Sequence, residues 1–160
     1  VSSLYTVNDA SKKVQAMRTV MDNLNFAMES MSRTIRTGTE FTCGGGYPPN
    51  PQNCPVGQGG AEALTLRGTL GTTSVIEYKL ARDSVTGKGS IQKRIDGNQS
   101  VAITSPEIDV QKLTFYVDGA ESSDQKQPSV IIMTEGVATA GDGNSAPFAI
   151  QTYLSQRATE

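Results

Sequence analysis

Residues 4–37 read LYTVNDASKKVQAMRTVMDNLNFAMESMSRTIRT. Val7, Ala10, Val14, Met17, Met21, Leu24, Met28, Met31 and Ile35 succeed one another at steps of three and four, a heptad stripe held for four repeats. Neither Gly nor Pro interrupts it. Gly38 follows where a helix C′ residue belongs, and Arg33 and Arg36 in the last turn complement the helix dipole. The spacing predicts one helix of about 34 residues, about 50 Å long and about three times an average globular helix.

Outward from the helix the composition changes at once. Residues 42–60, TCGGGYPPNPQNCPVGQGG, are a Gly/Pro-rich loop bracketed by Cys43 and Cys54. From Ala61 onward short strand patterns alternate with turn signals. Leu64 and Leu66 alternate with polar neighbours; Ile76, Tyr78 and Leu80 alternate with Val75, Glu77 and Lys79. Ser84–Gly89 is a turn leading into Ile91–Ile95, and Asp96-Gly97-Asn98 another before Val101–Thr104. Leu113, Phe115 and Val117 alternate with Thr114, Tyr116 and Asp118; Val130–Met133 and Phe148–Leu154 complete the series. With no second helix for crossovers, these strands form antiparallel sheet. The expected fold is α+β: a long N-terminal helix (1–38), a Cys-bracketed loop (39–62) and an antiparallel β region (63–160), all in one structural domain. Strands of about 17–20 Å cover less than half of such a helix. Its N-terminal half therefore projects, pairs with other helices, or continues a preceding segment.

Composition narrows the chemistry. The 160 residues carry 16 Asp plus Glu against 14 Lys plus Arg, a net charge of −2, which argues against nucleic-acid binding through bulk charge. There is no His, so no Ser–His or Cys–His pair, imidazole ligand or histidine pH switch. Two Cys without His cannot assemble the usual closed zinc site. No run of 18 or more apolar residues is present. Enzyme-like strings fail on context. Ser90-Ile91-Gln92-Lys93 fits S-x-x-K but sits in a strand pattern without the S-D-N and K-T-G elements. Thr86-Gly87-Lys88-Gly89 lacks the Ser/Thr after Lys and the preceding Gly of a P-loop. No small-molecule substrate or cofactor is expected.

The run VQAMRTVMDNLNFAMESMSRTIRTG (14–38), followed by a Gly-rich loop and then strands only, resembles the periplasmic part of type IV pilin-like proteins. SIQKRIDGNQSVAITSPEIDVQKLTFYVDG (90–119), QPSVIIMTEG (127–136) and FAIQTYLSQR (148–157) are similar to the J-type minor pseudopilins of type II secretion and their minor-pilin relatives. The resemblance implies a helix packed on antiparallel sheet, and a membrane-inserted apolar half-helix preceding Val1. It also implies a bacterial inner-membrane protein with a periplasmic or extracellular domain, built into a filament or its tip beside other pilin or pseudopilin subunits, without catalysis.

From the mismatch between helix and strand length, Leu24 through Ile35 are expected to pack on the chain's own sheet. Leu4, Val7, Val14 and Met17 are expected to meet neighbouring subunits. Phe26 lies nearly opposite the seam, between Asp22 and Glu29. It is either a further subunit contact or covered by a sheet that wraps that far. Cys43 and Cys54 would close a short loop in an oxidising compartment; two buried free thiols or a weak metal contact are the alternatives. Lys79, Arg82, Lys88, Lys93 and Arg94 put five of the 14 basic residues into sixteen positions. In a hairpin they could share a DNA-binding patch with Tyr78 as a stacking platform, against the plainer role of solvated edge lysines. Asp118, Glu121 and Asp124, or Asp142-Gly143-Asn144, offer oxygen ligands to calcium but lack the D-x-D-x-D-G order; ordinary turn chemistry explains both. The competing function is a cell-surface adhesin on a coiled-coil stalk. Arg18 and Asn25 at e, with Val20 and Ala27 at g, are poor flanks for it.

Overall fold

The computed structural model describes residues 2–68 and 74–157. Helix α1 occupies Ser2–Thr37, close to its predicted bounds. Strands β1 (Thr39–Cys43), β2 (Ala63–Arg67), β3 (Val75–Arg82), β4 (Gly89–Ile95), β5 (Val101–Ala102), β6 (Ile108–Asp118), β7 (Ser129–Thr139) and β8 (Ser145–Ser155) follow, with a 3-10 turn at Val56–Gln58. All strand pairs are antiparallel, and the fold is α+β.

The strands form two sheets, β1-β2-β3-β4-β5 and β6-β7-β8, each running in chain order. Side chains and short bridges along β6 join them. At one end Gly89 N–H donates to Asp109 Oδ1 (2.7 Å) and the Arg82 guanidinium to the Gln111 carbonyl (2.8 Å). Gly89 is needed there because a Cβ would run into the Val110 carbonyl. At the other end Cys54 and Ala61 bridge to Val117 and Phe115.

The second half of α1 fills the angle between the sheets. Leu24, Met28, Met31 and Ile35 belong to one buried cluster with Phe41, Leu64, Leu66, Tyr78 and Ile91 of the first sheet. Leu113, Phe115, Ile132 and Leu154 of the second complete it. Full burial of each such side chain is worth about 1.5–3 kcal/mol. Of the β6 alternation, Leu113, Phe115 and Val117 are inward and Asp118 is exposed, but Thr114 is buried too, beneath Gly60.

Several expectations need correction. Residues 39–62 are not all loop: Thr39–Cys43 is the edge strand β1, paired with β2 across an irregularity near Glu40, whose φ is +53°. Val101–Thr104 shortens to the two residues of β5, and the expected single sheet is two. Helix α1 does end before Gly38, but Gly38 is not in the left-handed conformation. It is glycine because a Cβ would collide with the Leu66 side chain. The carbonyls at the helix end are capped from far along the chain. Arg157 N–H donates to Arg36 O (2.9 Å) and the Gln156 side-chain amide to Gly38 O (2.8 Å).

Candidate functional site

Among the described side chains of α1, Val20 is the first that is buried. Upstream of it the helix runs for about 27 Å at 1.5 Å per residue, while Leu4, Val7 and Val14 are 75%, 68% and 59% exposed. Met17 and Met21 lie at the margin, partly buried against the core. Of the five residues expected to contact other subunits, three therefore present apolar surface on the free half, and Met17 sits where that half meets the domain. Phe26, 76% exposed, is not covered by the sheets. It borders a shallow pocket of about 240 Å³ with Glu29, Ser30, Arg33 and Thr34, where Arg33 pairs with Glu29. Among the described residues no helix is long and apolar enough to cross a membrane.

Cys43 and Cys54 are joined in a disulfide, with Cα atoms 6.0 Å apart. Its position makes it more than a loop staple. Gln52 N–H donates to Phe41 O on the edge of β1 (3.1 Å), and Cys54 exchanges backbone hydrogen bonds with Val117 of β6 (2.9 and 3.2 Å). Residues 52–54 are thus laid between the two sheets, and the disulfide locks that strip to β1.

Asn53, in the same strip, organises the acidic loop. Its Oδ1 accepts Ala120 N–H (2.8 Å) and its Nδ2 donates to Asp124 Oδ2 (3.2 Å). Asp124 is held below the ordinary carboxylate value mainly by the Lys126 backbone N–H, and Asp118 pairs with the Lys126 ammonium at 3.4 Å. Asp142 accepts from the backbone and side chain of Asn144, closing a turn. Among the described residues no three His, Cys, Asp or Glu side chains come together to hold a metal ion.

The hairpin of β3 and β4 forms, but its basic residues do not converge. Residues paired directly across strands share a face. Lys93 pairs with Tyr78 and Arg94 with Glu77, while Lys79 lies opposite Gln92. Lys93 therefore shares the face of Tyr78, its ammonium 5.8 Å from the ring centroid, while Lys79 and Arg94 lie on the other. Arg82 is engaged with Gln111, and Lys88 sits in the turn region before β4. Tyr78 is 1% exposed, so its ring offers nothing to a base. Burial pushes its hydroxyl above the usual value, with Thr34 of α1 opposing.

Two features escaped the sequence. Glu77 is buried and forms an ion pair with Arg94 at 2.9 Å. It lies in a cross-strand row with Thr42 and Thr65, under the start of the Cys loop. On the outer face of the second sheet, Tyr116, Ile131 and Tyr153 stand in register across three strands. Together with Pro55 and Val56 they line a groove of about 440 Å³. The outward positions of the strand alternation carried that signal. Comparison with known proteins returned no match to any family model, curated protein or solved structure.

Proposed function

We propose that this chain is a non-enzymatic structural subunit of the minor pilin or pseudopilin kind, which assembles through its long helix. One observation carries the proposal. The heptad stripe of α1 continues through Leu4, Val7 and Val14 after the domain beneath it has ended. An apolar stripe on a projecting helix suits packing against equivalent helices, with Met17 and Phe26 as lateral contacts. In such an assembly a preceding apolar segment anchors the subunit in the bacterial inner membrane and then in the filament core. The sheets and the disulfide-locked loop face the periplasm or the exterior.

A coiled-coil stalk fits less well. Val20 and Ala27, at g, are already buried in the chain's own core, so the second half of the stripe is not free to enter a zipper.

The deciding experiment is N-terminal sequencing and mass of the membrane-extracted native protein. A segment of about 20 apolar residues joined to Val1 supports the proposal, and a soluble extension or a conventionally cleaved signal sinks it. Cysteines at Val7 and Val14 should then cross-link to neighbouring subunits in cells.

A further inference from the structure

Strand β8 is the outer strand of the second sheet: β7 pairs it from Ser145 to Ser155, and among the described residues no strand pairs its other edge. Two hydrogen bonds fix which of its groups face outward. Ala140 N–H donates to Asn144 O (2.8 Å) at one end and Gln156 N–H to Pro128 O (2.9 Å) at the other. Antiparallel pairs alternate between bonded and non-bonded, so the even-numbered residues of β8 bond to β7. Ala149, Gln151, Tyr153 and Ser155 turn their N–H and C=O groups away from it. Pro147 belongs to this outward set, which explains how a proline sits inside the strand without breaking the ladder.

Folded proteins protect such edges with charges, bulges, short strands or covering segments. The first sheet does so: β5 has two residues, and Gln52 covers the edge of β1. By contrast β8 has 11 residues, SAPFAIQTYLS, with no Asp, Glu, Lys or Arg. Its pairing with β7 carries no register shift, and Ala149, Gln151, Tyr153 and Ser155 are all exposed.

We infer that this edge pairs with the same edge of a second copy of the chain, antiparallel, about a twofold axis at Gln151. The strand is self-complementary in that register. Gln151 meets the second copy's Gln151, whose amide can both donate and accept. Ala149 meets the second copy's Tyr153, small against large on the same face, and Pro147 meets the second copy's Ser155. No like charges face one another, and each Pro147 forgoes a single hydrogen bond. The result is a six-stranded sheet in which the Tyr116–Ile131–Tyr153 row continues onto the second copy's Ala149. A twofold contact of this kind closes on itself. It is independent of the helix stripe.

The test is sedimentation of the full chain from micromolar to millimolar concentration, with amide exchange followed residue by residue. A dimer is expected, in which the amides of Ala149, Gln151, Tyr153 and Ser155 slow by about tenfold or more as it fills. Gln151→Lys, which sets two ammonium groups face to face, should give a monomer with unchanged helix signal and the thermal midpoint that the unsubstituted chain has at concentrations too low for the dimer. Gln151→Cys should oxidise to a covalent dimer, and decides between the outcomes if the lysine variant does not fold. Val7→Asp/Val14→Asp should leave the dimer intact. A monomer at every concentration overturns the inference, as does a dimer that survives Gln151→Lys. A dimer lost only in the helix variant also overturns it, and leaves the proposed function standing.

Discussion

Residues 2–19 and 20–37 of α1 carry one continuous heptad stripe, yet the two halves live in different surroundings. In the second half Leu24, Met31 and Ile35 are at most 1% exposed beneath two sheets. In the first, Leu4, Val7 and Val14 face outward. Periodicity specifies that a helix has an apolar face; it does not say which molecule supplies the cover. That is decided by strand length, because strands of 11 residues or fewer cannot lie under 36 residues of helix.

The contrast should be sharpest in amide exchange. Short helices without tertiary cover are marginal in water, so amides of residues 6–16 in the isolated chain should exchange orders of magnitude faster than those of 24–35. The latter should approach the global unfolding limit of about 5–15 kcal/mol. Equal protection in both halves would mean that the first half has found a partner. Next in size, Leu24→Ala should cost about 2–5 kcal/mol in urea unfolding, against about 0.5 kcal/mol or less for Val7→Ala. Comparable losses would break the distinction. Replacing both cysteines by serine should remove just under about 3 kcal/mol, read as a lower thermal midpoint, while exchange at residues 6–16 stays unchanged.

Acid should have the smallest effect. Backbone and side-chain hydrogen bonds from Thr86 lower Asp83, the Ser105 hydroxyl lowers Glu107 and the Lys126 backbone N–H lowers Asp124. A carboxylate with a folded value below its unfolded one adds stability that is present above the unfolded value. That stability disappears as pH falls through the folded one. The thermal midpoint should therefore drop modestly below about pH 4, with the loosening in the β turns and not in α1. A midpoint that rises on acidification would contradict the assignment.

Much of this fold was legible because its signals are local. The stripe gave α1, and the alternation of Leu64 with Leu66 and of Leu113, Phe115 and Val117 gave the inward faces of their strands. Long-range choices were not legible. β1 was hidden because its five residues, TEFTC, alternate weakly and include a left-handed Glu40. The split into two sheets depends on Cys54 meeting Val117, and on Gly89 meeting Asp109, far apart in sequence. Glu77 sits at an outward position of an alternating strand, yet Gly45 of the Cys loop lies close over its carboxylate and Arg94 pairs with it. The basic cluster divides between two faces for the opposite reason. Once the register of β3 with β4 is known, alternation itself assigns Lys93 and Arg94 to opposite faces.

The caps on α1 carry a consequence for the order of events in folding. The hydrogen bond from Gln156 to Gly38 joins groups 118 residues apart, and Arg157 reaches back to Arg36 beside it. The helix emerges before the strands during synthesis, but its carboxyl end is pinned only when β8 and the residues after it have been laid down. Contacts of such sequence separation form late and slow a domain's folding. Until residue 157 is free, Leu24, Met28, Met31 and Ile35 lack part of their cover and remain open to whatever escorts the nascent chain.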